Sequence, residues 1–244
     1  MLNPSELTPE AVASIIDHTY LKPFGSPEPI NTLCAEAKKY QFAMVAINPA
    51  EVERCAELLS DSPVRVGAAI GFPLGQNTVA VKDFETKDAI DKGATEIDIM
   101  INVRALKAGQ TDIIRQEIRN MVKHCKPSGV ISKVIFETCY LDEADIITVC
   151  NIAKEEGADF VKTSTGFGTA GASVEHIALM RKTVGPEMGV KASGGVRTLD
   201  EAIAMIEAGA TRIGTSSGVR IVEELIARQK GVAFDPDAMA QSSY

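Results

Sequence analysis

Short apolar runs alternate along the chain with longer segments in which apolar positions recur every three or four residues. The runs at 14–21, 42–48, 64–72, 95–102, 130–138, 159–164, 189–193 and 211–216 have the length and near-continuous apolar character of strands buried on both faces. The segments that follow them, such as "PEPINTLCAEAKKY" (27–40) and "LDEADIITVCNIAKEE" (141–156), carry the spacing of helices with one apolar face. Three stretches align without a gap: "DKGATEIDIMI" (91–101), "EEGADFVKTST" (155–165) and "EAGATRIGTSS" (207–217). Each opens on a charged helix end, passes through Gly-Ala and enters an apolar run, so the glycine suits the left-handed position that ends a helix. Gly93, Gly157 and Gly209 stand 64 and 52 positions apart, room for two strand–helix units of about 30 residues each.

Eight strand–helix units in 244 residues predict a single (β/α)8 TIM barrel spanning the chain, with a short N-terminal helix and a flexible C-terminal tail over 231–244. The competing architecture is an open doubly wound sheet, but no G-x-G-x-x-G follows the first strands. In the barrel the three aligned segments become strands four, six and eight, and alternate strands share an interior layer. The fifth residue after each glycine is Asp98, Lys162 or Gly214, which places a carboxylate and an amine in one layer beside an open space. Lys133 in strand five and Lys191 in strand seven flank strand six.

Composition narrows the function. A net charge of −8 argues against non-specific binding of nucleic acid or an anionic membrane, which needs a basic face. The start, "MLNPSELTPE", has neither the basic flank nor the apolar run of a signal peptide, and no apolar run approaches a membrane span. The five cysteines form no C-x-x-C pair and read as reduced thiols of a cytoplasmic protein. The three histidines lie far apart without metal-ligand spacing, so no metal site is expected. Asp83, Glu85 and Asp88 read as a solvated helix face.

A lone strand lysine beside an aspartate fits a buried ion pair. Several lysines converging on strands five to seven fit an amine nucleophile better. At its ordinary pKa a lysine is a free amine only about one part in 2,500 at pH 7, and desolvation with a second cation nearby exposes it. Periodicity leaves Lys162 and Lys133 equal candidates. The loops after strands six, seven and eight, "TGFGTAG" (165–171), "SGGVR" (193–197) and "TSSGV" (215–219), supply glycines and hydroxyls where barrels often hold phosphate. An amine below a phosphate cradle points to a phosphorylated sugar or aldehyde.

"DHTYL" (17–21), "EIDIMIN" (96–102), "KVIFET" (133–138), "FVKTSTGF" (160–167), "VKASGGVR" (190–197) and the terminal "SSY" (242–244) closely resemble the deoxyribose-phosphate aldolases. The resemblance runs through nearly the whole chain in the right order. It implies a cofactor-independent class I aldolase that reversibly cleaves 2-deoxy-D-ribose 5-phosphate to acetaldehyde and D-glyceraldehyde 3-phosphate. By the same resemblance Lys162 is the Schiff-base lysine, Lys191 the lysine that perturbs it, Asp98 the proton donor and acceptor, and Tyr244 a mobile acid. Asp17 and Thr19 match the polar end of the first strand, which contacts substrate; Gly166, Gly194, Gly195, Gly214, Ser216 and Ser217 match the phosphate site. Some relatives carry lysine where this chain has Phe167, which implies one cation fewer at that site, and many carry cysteine in place of Ala46. A homodimer is left open. The rival readings are a pyridoxal-phosphate enzyme on a barrel and a non-catalytic phospho-sugar binding module.

Overall fold

The computed structural model describes residue 2 and residues 6–235. Eight parallel strands, β1 (Ile16–Tyr20), β2 (Met44–Ile47), β3 (Arg65–Ile70), β4 (Glu96–Met100), β5 (Ile131–Ile135), β6 (Phe160–Lys162), β7 (Gly189–Ser193) and β8 (Arg212–Thr215), close into a barrel in sequence order. The closing pair sets Asp17 opposite Gly214 and His18 opposite Thr215. A short helix, α1 (Pro9–Ala13), precedes β1 and packs against the last helix. Helices α2 (Glu28–Tyr40), α3 (Val52–Leu58), α4 (Val79–Asp91), α5 (Val103–Lys107), α6 (Thr111–Cys125), α7 (Glu143–Glu156), α8 (Val174–Val184), α9 (Leu199–Glu207) and α10 (Gly218–Lys230) complete the described chain. Of the expected tail only 231–235 is described, and Tyr244 lies outside the described residues.

The strands are shorter than the apolar runs that predicted them, because the residues at both ends turn into loops. Local chemistry sets the helix ends. Asp142 and Asp145 form a reciprocal capping box at the start of α7, as do Thr198 and Glu201 at the start of α9. Gly157 ends α7 at φ 79°, the left-handed conformation that the repeated Gly-Ala pattern anticipated.

The apolar core is the shell between strands and helices, built from outward residues such as Val45, Ile97, Ile99, Val134, Val161 and Val190. The inward positions, two residues apart, carry charge instead: Glu96 and Asp98 on β4, Lys133 on β5, Lys162 on β6. Phe160 turns its ring under this cluster, with its centroid 5.6 Å from the Arg212 guanidinium and 6.0 Å from Lys133 Nζ. Gly189 makes room for that ring: a Cβ there would lie 2.1 Å from it.

The solvated-face reading of α4 is corrected for Glu85, which turns inward to accept from the Gly71 N–H at 2.8 Å; Asp83, paired with His124 at 2.9 Å, and Asp88, paired with Lys92 at 2.7 Å, stay open to solvent. Lys82, just before them in sequence, is buried and donates to Glu117 (2.6 Å) and to the Met100 carbonyl (2.7 Å). Glu117 also accepts from the Asn102 N–H at 3.0 Å, so this buried pair ties two helices to the carboxyl end of β4. Meanwhile Phe84 is 71% exposed. Helical spacing could not foresee that a lysine, and not its apolar neighbour, would face inward.

Candidate active site

Seven charged side chains meet inside the barrel. Asp98 is at their centre: its Oδ2 accepts from Lys162 (2.8 Å) and Lys191 (2.7 Å), and its Oδ1 from Lys133 (2.8 Å). Lys191 also ion-pairs with Asp17 at 2.5 Å. Below them Arg212 bridges Asp17 (2.7 Å) and both oxygens of Glu96 (3.0 Å each), and Glu96 ion-pairs with Lys133. The strand register explains the meeting, since Lys162, Lys191 and Arg212 are successive neighbours across β6, β7 and β8.

The buried cluster holds four cations (Lys133, Lys162, Lys191, Arg212) and three carboxylates (Asp17, Glu96, Asp98), with the half-exposed Arg65 reaching Glu96 at 3.7 Å from outside, so one buried cation is in excess. Charge in a buried site is stable only when balanced. Lys162 is the member that gives way. Burial first, with Lys191 and Lys133 repelling in the same direction and Asp98 opposing, brings its pKa down to about 8. Lys133 is equally buried, but Asp98, Glu96 and Asp17 outweigh desolvation and hold its pKa above the ordinary value. Asp98 and Asp17 show the converse: burial alone would raise them, and the surrounding cations keep both below the usual carboxylate range. The two lysines left equal by periodicity are thereby distinguished, one as a potential free amine and one as a permanent cation.

Lys162 and Lys191 also differ from Lys133 in facing a cavity of about 240 Å³ at the carboxyl ends of the strands. Thr19, Gly166, Gly194, Gly195, Gly214 and Ser216 line it, all of them expected there. Gly214 permits the closest approach: a Cβ would stand 3.0 Å from Lys191 Cε and 2.9 Å from Ser193 Cβ. Asp98 lies beneath the cavity, reached through the lysines. Two expected residues do not reach its lining. Asp17 is fully buried under Lys191 and Arg212, and Ser217 sits at the N-terminus of α10, its N–H donating to Thr215 Oγ1 at 2.9 Å. Asp17, paired across β1 and β8 with Gly214, is covered by the Lys191 and Arg212 side chains that bond it, and the chain turns into α10 after Ser216. Among the described residues the lining carries Lys22, Lys162, Lys191 and Arg197 and no carboxylate.

The family model for DeoC/LacD family aldolases matches residues 12–224. The chain belongs to this family. Over 228 residues it is 67% identical to the deoxyribose-phosphate aldolase of Bacteroides thetaiotaomicron, covering 93% of this chain and 96% of that one. The deoxyribose-phosphate aldolase of Thermococcus gammatolerans is 56% identical over 214 residues, 87% of this chain and 95% of its own. Among solved structures, the tetrameric deoxyribose phosphate aldolase of Aeropyrum pernix superposes with a TM-score of 0.84 at 34% identity, covering 92% of this chain and 94% of that chain. Aldolases are lyases, so this family membership sets aside the non-catalytic binding module.

Three residues in and around this charged cluster went unnoticed in the sequence. Glu96 precedes Asp98 by two positions and Arg212 precedes Gly214 by two, so strand alternation would have placed both inside the barrel. Glu137 offered no such signal. It follows β5 in a left-handed conformation, φ 57° and ψ 63°, which a non-glycine residue rarely adopts. Its buried carboxyl accepts from the N–H of Thr165 at 3.2 Å and from the Thr165 hydroxyl, and Thr165 Oγ1 accepts from the Phe167 N–H at 3.0 Å. That chain of bonds holds the loop carrying Gly166 and Phe167 against the cavity. Among the described residues, no helix is long and apolar enough to cross a membrane.

Proposed function

We propose that the protein is a cytoplasmic class I aldolase that cleaves 2-deoxy-D-ribose 5-phosphate to acetaldehyde and D-glyceraldehyde 3-phosphate through a Schiff base on Lys162. The observation that carries this reading is the excess cation of the barrel interior, with Lys162 brought down to about 8 at the floor of the cavity. With that pKa about one lysine in ten is a free amine at pH 7, roughly two hundred times more than for an ordinary side chain.

The free amine adds to C1 of the open-chain sugar and expels water, leaving an iminium. The electrons of the C2–C3 bond then move into that iminium as the C3 hydroxyl loses its proton. C3 becomes the carbonyl carbon of glyceraldehyde 3-phosphate, and the enamine on Lys162 takes a proton at C2 before water releases acetaldehyde. Asp98 is ionised and within hydrogen-bond reach of Lys162, and it serves as the proton acceptor and donor of these steps. Lys191 repels a proton on Lys162 and pairs with Asp98 and Asp17. Gly166, Gly194, Gly195 and Ser216 receive the phosphate, with Gly166, Gly194 and Gly195 at positive φ, so that backbone N–H groups approach an anion closely. Tyr244 is the acid for proton exchange at the enamine carbon.

Borohydride added with substrate tests the assignment. The chain should be trapped at Lys162 with release of acetaldehyde in the untrapped control, and peptide mapping that places the adduct on Lys133 or Lys191 would overturn it.

A further inference from the structure

We propose that Glu137 is a positioning residue of the phosphate site: by holding Thr165 it fixes the turn that carries Gly166, and so sets the preference for phosphorylated over unphosphorylated sugar. This rests on the reading of the substrate as a sugar phosphate.

The chain leaving β5 keeps bonding to the chain leaving β6. The Phe136 N–H donates to the Lys162 carbonyl and the Thr138 N–H to the Thr163 carbonyl, both at 3.0 Å. Two residues on one side thus answer to one on the other, where a regular parallel ladder advances two for two. Glu137 is the extra residue of a bulge, a device that re-aims a side chain. Its left-handed backbone turns the carboxyl toward the loop after β6. There Thr165 donates both its N–H and its hydroxyl to Glu137 and accepts from the Phe167 N–H at 3.0 Å. The 165–167 turn is tied to itself and hung from one buried carboxyl, with Gly166 at its apex at φ 89°. Gly168 lets the loop lie close over that carboxyl, since a Cβ there would stand 2.9 Å from Glu137 Cδ.

Packing alone does not fix this turn. Thr165 and Phe167 line both the active-site cavity and a second cavity of about 320 Å³, whose other walls include Pro73, Leu74, Met100 and Val103. The turn is therefore a partition with open space on either side, and a void supplies no atoms to pack against. Phe167 meets Phe72 edge-on, centroids 5.5 Å apart. The Ala172 N–H is bonded to the Ser193 and Gly194 carbonyls at 3.1 and 3.0 Å, but at the far end of the loop. Backbone N–H groups bind an anion well only when they are already aimed at it. Glu137 supplies that aim from behind, since it borders the second cavity and not the first. The Lys162 charge also acts on Glu137, so a direct effect on the amine is the competing role.

The experiment compares wild type, Glu137→Ala and Glu137→Gln on 2-deoxyribose 5-phosphate and on 2-deoxyribose, with inorganic phosphate as inhibitor. In Glu137→Ala the ratio of kcat/KM values, phosphorylated over free sugar, should fall about tenfold or more, chiefly through KM of the phosphorylated one. Inhibition by phosphate should weaken by a similar factor. Glu137→Gln should retain most of the ratio, since an amide can still accept from the Thr165 N–H and donate to its hydroxyl oxygen. Should Glu137→Ala not fold, Thr165→Val, which removes the hydroxyl at the other end of the bond, should lower the ratio in the same way. An unchanged ratio in the folded variant, an equal loss on both sugars, or a loss matched by a shift in the pH for half-maximal borohydride trapping would each overturn the proposal. The last would place the effect of Glu137 on Lys162. Calorimetric binding of inorganic phosphate separates the two readings: a wild type that cleaves neither sugar, but whose phosphate affinity falls in Glu137→Ala, would sink the sugar-phosphate substrate and keep the positioning role.

Discussion

Lys162 and Lys191 donate to the same oxygen of Asp98, at 2.8 and 2.7 Å. Two ammonium groups sharing one acceptor atom repel each other, and that repulsion adds to burial in lowering the pKa of Lys162. Lys191→Leu removes that repulsion and leaves Lys162 a larger share of Asp98. Both changes raise the pKa of Lys162 above about 8. Turnover at pH 7 should drop by about tenfold or more, and the rising limb of the rate profile should move to higher pH. A wild-type profile in this variant would show that burial alone accounts for the amine.

Arg212 and Glu96 test the charge balance without touching the cavity lining. Arg212→Met leaves three lysines against three carboxylates, so Lys162 should keep its proton and the pH for half-maximal borohydride trapping should rise. Glu96→Gln leaves four cations against two carboxylates and should lower it. Shifts in the same direction for the two variants would rule out the count as the governing quantity.

Asp98→Asn separates condensation from cleavage. Asp98 raises the pKa of Lys162, so its removal should let trapping by borohydride persist and reach to lower pH. Turnover should still fall by roughly a hundredfold, the low end of what a positioned acid or base contributes. Single-turnover trapping against steady-state acetaldehyde release reads the two effects separately.

The Lys82–Glu117 pair concerns stability. Lys82→Met strands a buried carboxylate and should destabilise the fold by roughly 3–5 kcal/mol in urea unfolding. Burial already pushes the pKa of Glu117 up and that of Lys82 down, and removing the lysine drives the carboxyl further up. Lys82→Met with Glu117→Leu should recover most of the loss, because no unpaired charge remains.

The order of strands and helices, the barrel, and the meeting of Asp98 with strand lysines were legible in the sequence, because each depends on periodicity and on short-range turn chemistry. The fifth residue after each of three aligned glycines points to the same interior, and the glycine-rich loops after strands six to eight do line one cavity. What periodicity could not decide was which lysine carries the proton. Lys133 and Lys162 both face inward, Lys133 at the level of Phe160, and the carboxylates brought from β1 and β4 hold the pKa of Lys133 up while burial and the neighbouring cations bring that of Lys162 down. Nor could it show Asp17 sealed below the cavity or Lys82 turned inward on α4. Electrostatic energy depends on distance in space and on desolvation, and in a closed barrel both are set by residues almost two hundred positions apart, as Asp17 and Arg212 are.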